Sequence, residues 1–140
     1  MVTGVTVTRP VADALMAHAR SELPIEACGL LAGSLGTGRA TTYHPARNSD
    51  ASSLRYTVDP EDLVRITFAL EDGGEELVAI FHSHTHSPAV PSATDRRAAM
   101  YPDQFYVIAT LADPDASPDR ALRAWRIIRG HAFEVPLAIG

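Results

Sequence analysis

The chain has 140 residues, of which 46% are hydrophobic and 21% charged, enough for one domain with its own core and too few for two. Its formal charge of −5, with no run of Lys or Arg, excludes a phosphate-binding stripe and with it a nucleic-acid partner. A single cysteine, Cys28, excludes an internal disulfide framework, and no apolar run approaches the roughly 20 residues of a membrane-spanning helix.

The opening MVTGVTVTRP lacks a basic stretch leading into an apolar one, so it does not read as a signal peptide, and the cytoplasm is the expected address. Val5, Val7 and Arg9 alternate with threonines as in a short strand. Pro10 suits an early helical position, and Val11, Ala14, Leu15, His18 and Ala19 continue at helical spacing to about Glu22. Glu26 to Gly33 is an apolar run bounded by turn residues and reads as a buried strand. Gly36 and Gly38 turn it into a second strand, Arg39 to Pro45. A polar loop, ARNSDASS, covers residues 46–53, and Tyr56 to Val58 is a brief extended piece.

Asp59-Pro60-Glu61-Asp62 carries an aspartate cap, a proline and early acids, the signature of a helix start. That helix should bury Leu63, Ile66, Thr67 and Leu70 and stop at Gly73-Gly74. Leu77 to His84 reads as an apolar strand, followed by a loop with Pro88 and Pro91 and a short helix from about Thr94 to Met100. Gln104 to Leu111 is a further buried strand, and ADPDASPDR a turn-rich connection. Two last strands, Ala121 to Ile128 and Ala132 to Leu137, are joined at Gly130-His131. The whole predicts a single domain over residues 1–140, α+β with α/β character. It should be one mixed, largely antiparallel sheet flanked by two or three helices.

Two residues apart on a strand, His82 and His84 point to the same face and can present two nitrogens to one metal. Asp95 follows a proline-containing loop and can return a carboxylate oxygen to that point. Two histidines, one carboxylate and a water make a tetrahedral zinc site with an open position, the catalytic arrangement. Each pair alone also has a plain structural reading: the histidines as polar residues at a sheet rim, Ser92 and Asp95 as an S-x-x-D helix cap. The joint spacing favours the metal, and capping and ligation are compatible.

The set His82-Ser-His84, Ser92 and Asp95 resembles the JAMM motif of the MPN+ metalloproteases. The stretch Pro24-Ile-Glu26-Ala-Cys-Gly-Leu-Leu-Ala-Gly33 resembles that family's segment with the catalytic glutamate. Asn48 and Tyr56-Thr-Val-Asp-Pro60 also resemble it, so the similarity spans nearly the whole chain in the family's order. The resemblance implies an MPN/JAB-like fold, Zn2+ held by His82, His84 and Asp95, Glu26 as general acid/base, and Ser92 holding the oxyanion. Read without it, Glu26 is an exposed acid in a helix–strand linker. His86 extends the pattern to His-Ser-His-Thr-His, but the following Ser-Pro suggests a departing loop, and it stays outside the ligand set. Cys28 reads as a small packing residue, His18, His44 and His131 as surface or structural residues, and Trp125 as sheet packing.

The resemblance implies a hydrolase of a peptide or isopeptide-like amide, as in the sulfur-carrier-processing CysO-cysteine peptidases. The expected substrate is the Gly-Gly tail of a ubiquitin-like or sulfur-carrier protein, with cysteine as one leaving group. Such a tail is expected to lie along a sheet edge, and a homodimer is compatible with this reading. The rival reading is a non-catalytic scaffold on the same fold, against which the intact ligand set argues. A zinc deaminase is excluded by the lack of P-C-x-x-C, and a serine hydrolase of the nucleophile-elbow type by the lack of G-x-S-x-G.

Overall fold

Thr8 ends the first strand, β1 (Val5–Val7), and starts the first helix, α1 (Arg9–Ser21), its hydroxyl accepting a hydrogen bond from the Val11 N–H. The computed structural model describes residues 2–140. The chain continues through β2 (Cys28–Ser34), β3 (Arg39–Ala46), α2 (Pro60–Asp72), β4 (Glu76–His84), α3 (Ala93–Ala98), β5 (Phe105–Thr110), α4 (Pro118–Ala121), β6 (Leu122–Ile128), β7 (His131–Val135) and β8 (Leu137–Ile139). The β2–β3 hairpin turns at Gly38, whose φ of 69° lies in the left-handed region that favours glycine.

All eight strands form one sheet in the order β7-β6-β5-β4-β2-β3-β1-β8. The pairings β2–β3, β2–β4, β5–β6 and β6–β7 are antiparallel, whereas β4–β5, β1–β3 and β1–β8 are parallel. Side chains alternate between the two faces. One face packs Phe81, Phe105 and Val107 against Val11, Leu15 and Met16 of α1. The other packs Leu30, Ile80 and Ile108 against Ile66 and Leu70 of α2. His82 shares the parity of Ile80, so it faces α2 at the end of the strand. Truncating the fully buried Phe81 to alanine costs about 3–5 kcal/mol in such a core.

The α+β class, the mixed sheet and its antiparallel majority are as expected, but the helices number four among the described residues. The extra one, α4, is a single turn led by Pro118 inside the stretch read as turns. The last expected strand is two: Pro136 has no N–H to donate to a ladder, so β7 ends before it and β8 crosses to the far edge beside β1. Thr67 is exposed rather than buried, its hydroxyl bonding back to the Leu63 carbonyl at 2.7 Å. β4 is interior, paired on both sides by β2 and β5, and the edges belong to β7 and β8. Among the described residues no helix is long and apolar enough to cross a membrane.

Candidate metal centre

Parallel strands β4 and β5 need a crossover, and residues 85–104 supply it, passing over the C-terminal end of β4. α3 lies in this crossover and begins at Ser92, whose Oγ accepts from the Asp95 N–H at 3.0 Å while Asp95 Oδ2 accepts from the Ser92 N–H at 2.9 Å. This reciprocal capping box fixes the Asp95 carboxylate. Asp95 Oδ2 lies 3.1 Å from His82 Nε2 and 3.0 Å from His84 Nε2, and the two nitrogens are 3.2 Å apart. All three residues are buried.

The triangle has the size a metal needs. Ligand atoms at about 2.0–2.1 Å from a tetrahedral centre lie about 3.3–3.4 Å from one another, a few tenths of an ångström wider than observed. His84 Nδ1 donates to the Pro88 carbonyl at 2.7 Å, a bond that leaves the Nε2 lone pair free for a metal. The Tyr56 ring stacks on His82 at 4.3 Å between centroids and 19° between planes, fixing the second imidazole. Burial holds the His82 pKa below its ordinary value, which keeps the ring a neutral ligand. Burial pulls His84 the same way, but its bonds to Asp95 and Pro88 prevail and raise it. Burial would raise Asp95, yet its contacts with both imidazoles and the bond from the Ser92 amide hold it far below the carboxylate range. The group thus suits a metal ion in both geometry and charge.

Glu26 reaches this face by pairing of β2 with β4, in register Cys28↔His82. It is 3% exposed, not the open linker acid its local sequence suggests. Burial pushes its carboxyl up to about 8, opposed by His84 and reinforced by Asp95. Its Oε1 is buried and unpartnered among the described residues. Next along the chain, the Ala27 N–H donates to Ser83 Oγ at 2.8 Å and the Ser83 N–H to the Ala27 carbonyl at 3.0 Å.

The structure therefore brings Glu26, His82, His84, Ser92 and Asp95 to one end of β4. His86 is exposed and outside the ligand group. Cys28 is fully buried as a packing residue. Trp125 packs on the α2 face of the sheet, and its Nε1–H also donates to the Ala89 carbonyl at 2.9 Å. With Thr110 Oγ1 donating to Ser87 O at 2.7 Å and His84 to Pro88 O, three successive carbonyls of the loop after β4 are held by side chains of three strands. The stacking of Tyr56 on His82, the Ser83 bonds to Ala27 and this stapling escape a reading of the sequence, since each depends on pairings between distant segments. Beside the centre, an apolar cavity of about 480 Å³, lined by Leu30, Tyr56, Leu63, Ile80 and Met100 among others, shares the Tyr56 ring with it.

Mixed sheet, crossover-borne carboxylate and paired strand histidines together define a JAB-type domain with a site suited to a metal ion. A model of the Prok-JAB family, prokaryotic homologs of the JAB domain, matches residues 8–128, and the chain belongs to that family. It is 39% identical over 127 residues to the CysO-cysteine peptidase of Mycobacterium tuberculosis, covering 91% of this chain and 85% of the relative. It is 40% identical over 103 residues to the desampylase of Haloferax volcanii, covering 70% and 74%. The solution structure of protein DSY2949 from Desulfitobacterium hafniense superposes with a TM-score of 0.86 at 30% identity, covering 97% of this chain and 92% of that one.

Proposed function

We propose that this chain is a zinc-dependent peptidase of the cytoplasm that hydrolyses an amide at the C-terminal tail of a ubiquitin-like or sulfur-carrier protein ending in Gly-Gly, with cysteine the preferred leaving group. The observation that carries the reading is the convergence of His82, His84 and Asp95 beside a buried carboxyl, Glu26, whose Oε1 has no partner among the described residues. The names of the two relatives support the substrate class.

When bound, zinc polarises the scissile carbonyl and lowers the pKa of water from about 15.7 to about 7. Glu26 takes the proton of the attacking water and returns it to the nitrogen of the leaving amine, so the C–N bond breaks with its proton supplied. Its burial-shifted pKa lies near neutrality, where accepting and releasing a proton are both feasible. Ser92 Oγ accepts from the Asp95 amide, which leaves its O–H free to donate to the carbonyl oxygen as charge develops there. The apolar cavity beside Tyr56 offers room next to the centre for an apolar side chain of the substrate.

The test incubates the protein with a Gly-Gly carrier bearing a C-terminal cysteine and, separately, with a lysine-linked ubiquitin dimer, read by mass spectrometry. Release of cysteine is expected to be much the faster reaction. Efficient cleavage of the dimer with the cysteine adduct untouched reverses the substrate choice. Cleavage of neither by zinc-loaded protein favours the scaffold reading.

A further inference from the structure

Glu26 Oε1 has no hydrogen-bond partner among the described residues, so the polar contacts that anchor this residue are those of its backbone. That backbone is gripped from one side by the segment of residues 48–57. The Glu26 N–H donates to the Ser52 carbonyl at 2.8 Å, and the Glu26 carbonyl accepts from Asn48 Nδ2 at 3.1 Å. Asn48 is 8% exposed and uses its whole amide. Its second N–H donates to the Arg55 carbonyl at 3.0 Å, and its Oδ1 accepts from the Asp50 and Thr57 N–H groups, each at 3.1 Å. An asparagine side chain offers two donors and two acceptor sites, and here all four are occupied. The loop so closed also carries Tyr56, which stacks on the ligand His82. A single polar side chain thereby refers the proton carrier and a metal ligand to the same frame.

We propose that Asn48 is the positioning residue for Glu26. It acts through the Glu26 peptide and touches neither metal nor substrate. The proposal rests on the peptidase reading above, because it concerns the aim of the proton carrier. Ser83 independently holds the neighbouring Ala27 peptide, so removing Asn48 loosens the aim of Glu26 without freeing the strand. A general base misplaced by about 1 Å loses on the order of 10²-fold in rate.

The test is a cycle of Asn48→Ala and Glu26→Gln in zinc-loaded protein, with kcat, KM, zinc content and amide exchange measured on a peptide substrate that the wild type cleaves. Asn48→Ala should lower kcat about 10- to 100-fold with KM little changed and zinc retained. The same change in the Glu26→Gln background should cost almost nothing further, since the carrier it aims is already disabled. In folded Asn48→Ala the Glu26 amide should exchange faster while the amides of β4 keep their protection. Should Asn48→Ala not fold, Asn48→Asp keeps both acceptor sites and loses the donors to Glu26 and Arg55, and the same pattern is expected. Equal losses in both backgrounds, loss of zinc, or wild-type kcat in a folded variant overturns the proposal. A zinc-loaded wild type with no turnover on any amide refutes the peptidase reading itself, and this role with it.

Discussion

Ser92→Ala separates two jobs that one hydroxyl performs. The change deletes the bond from the Asp95 N–H to Ser92 Oγ, 3.0 Å, but spares the reciprocal bond from the Ser92 N–H to Asp95 Oδ2, 2.9 Å. Asp95 therefore stays tethered, and zinc content should hold at wild-type level. Loss of the cap costs about 0.5–2 kcal/mol. With an unfolding entropy of about 2.1 cal/mol/K per residue over 140 residues, roughly 0.3 kcal/mol/K in all, Tm should fall by about 2–7 °C. The catalytic loss has another size: one missing oxyanion donor lowers kcat about 10²–10³-fold, some 2.7–4 kcal/mol in barrier. At 25 °C a protein weakened only by a cap remains folded, so a loss of that size comes from the reaction. The assay combines calorimetry, metal analysis and kcat on one preparation. A fall in Tm with kcat within a few-fold of wild type would refute the oxyanion role and leave Ser92 a cap alone. A loss of zinc would show instead that the hydroxyl acts through Asp95.

The metal centre should bind about one zinc per chain, and alanine at His82, His84 or Asp95 should abolish that stoichiometry by elemental analysis; full occupancy in His84→Ala removes the site. Glu26→Gln should keep zinc and fold while losing about 10²–10⁴-fold in kcat, and near-normal turnover would place the proton carrier elsewhere. Burial, with Glu22 and Asp62 adding, pushes the Cys28 thiol up from 9.0 to about 12. At pH 8 it should therefore react with a thiol reagent on the order of 10²-fold or more slowly than in urea, and equal rates would contradict its burial. Between those two pKa values the folded chain holds a proton that the unfolded chain has lost, so this group draws stability down as pH rises past about 9. Cys28→Ala should flatten that alkaline limb in denaturation curves, and an unchanged limb would assign it to other groups.

The cluster of His82, His84 and Asp95 is legible because its geometry is local. Strand parity aligns His82 with His84, and the S-x-x-D cap returns Asp95 within one crossover. Glu26 is legible only by resemblance, since its own neighbourhood reads as an open linker until the Cys28↔His82 register buries it. The strands themselves follow from their apolar runs, to within a residue or two. What the sequence conceals is non-local. Nothing near Pro136 says that the three residues after it cross to β1. Asn48 shares in the resemblance, but nothing local says that its amide meets a carbonyl on the segment before β2.

The stapled carbonyls of Ser87, Pro88 and Ala89 bear on the thermodynamics of association. Fixing a residue's backbone costs about 1–2 kcal/mol in conformational entropy. In this loop that loss, about 3–6 kcal/mol over three residues, falls on folding and not on complex formation. A segment pinned by three strands must break those bonds to move, which sets it apart from a loosely held closing flap. Binding beside it should show little change in loop order between the free and occupied protein. The ordering that remains to be done belongs to the incoming tail.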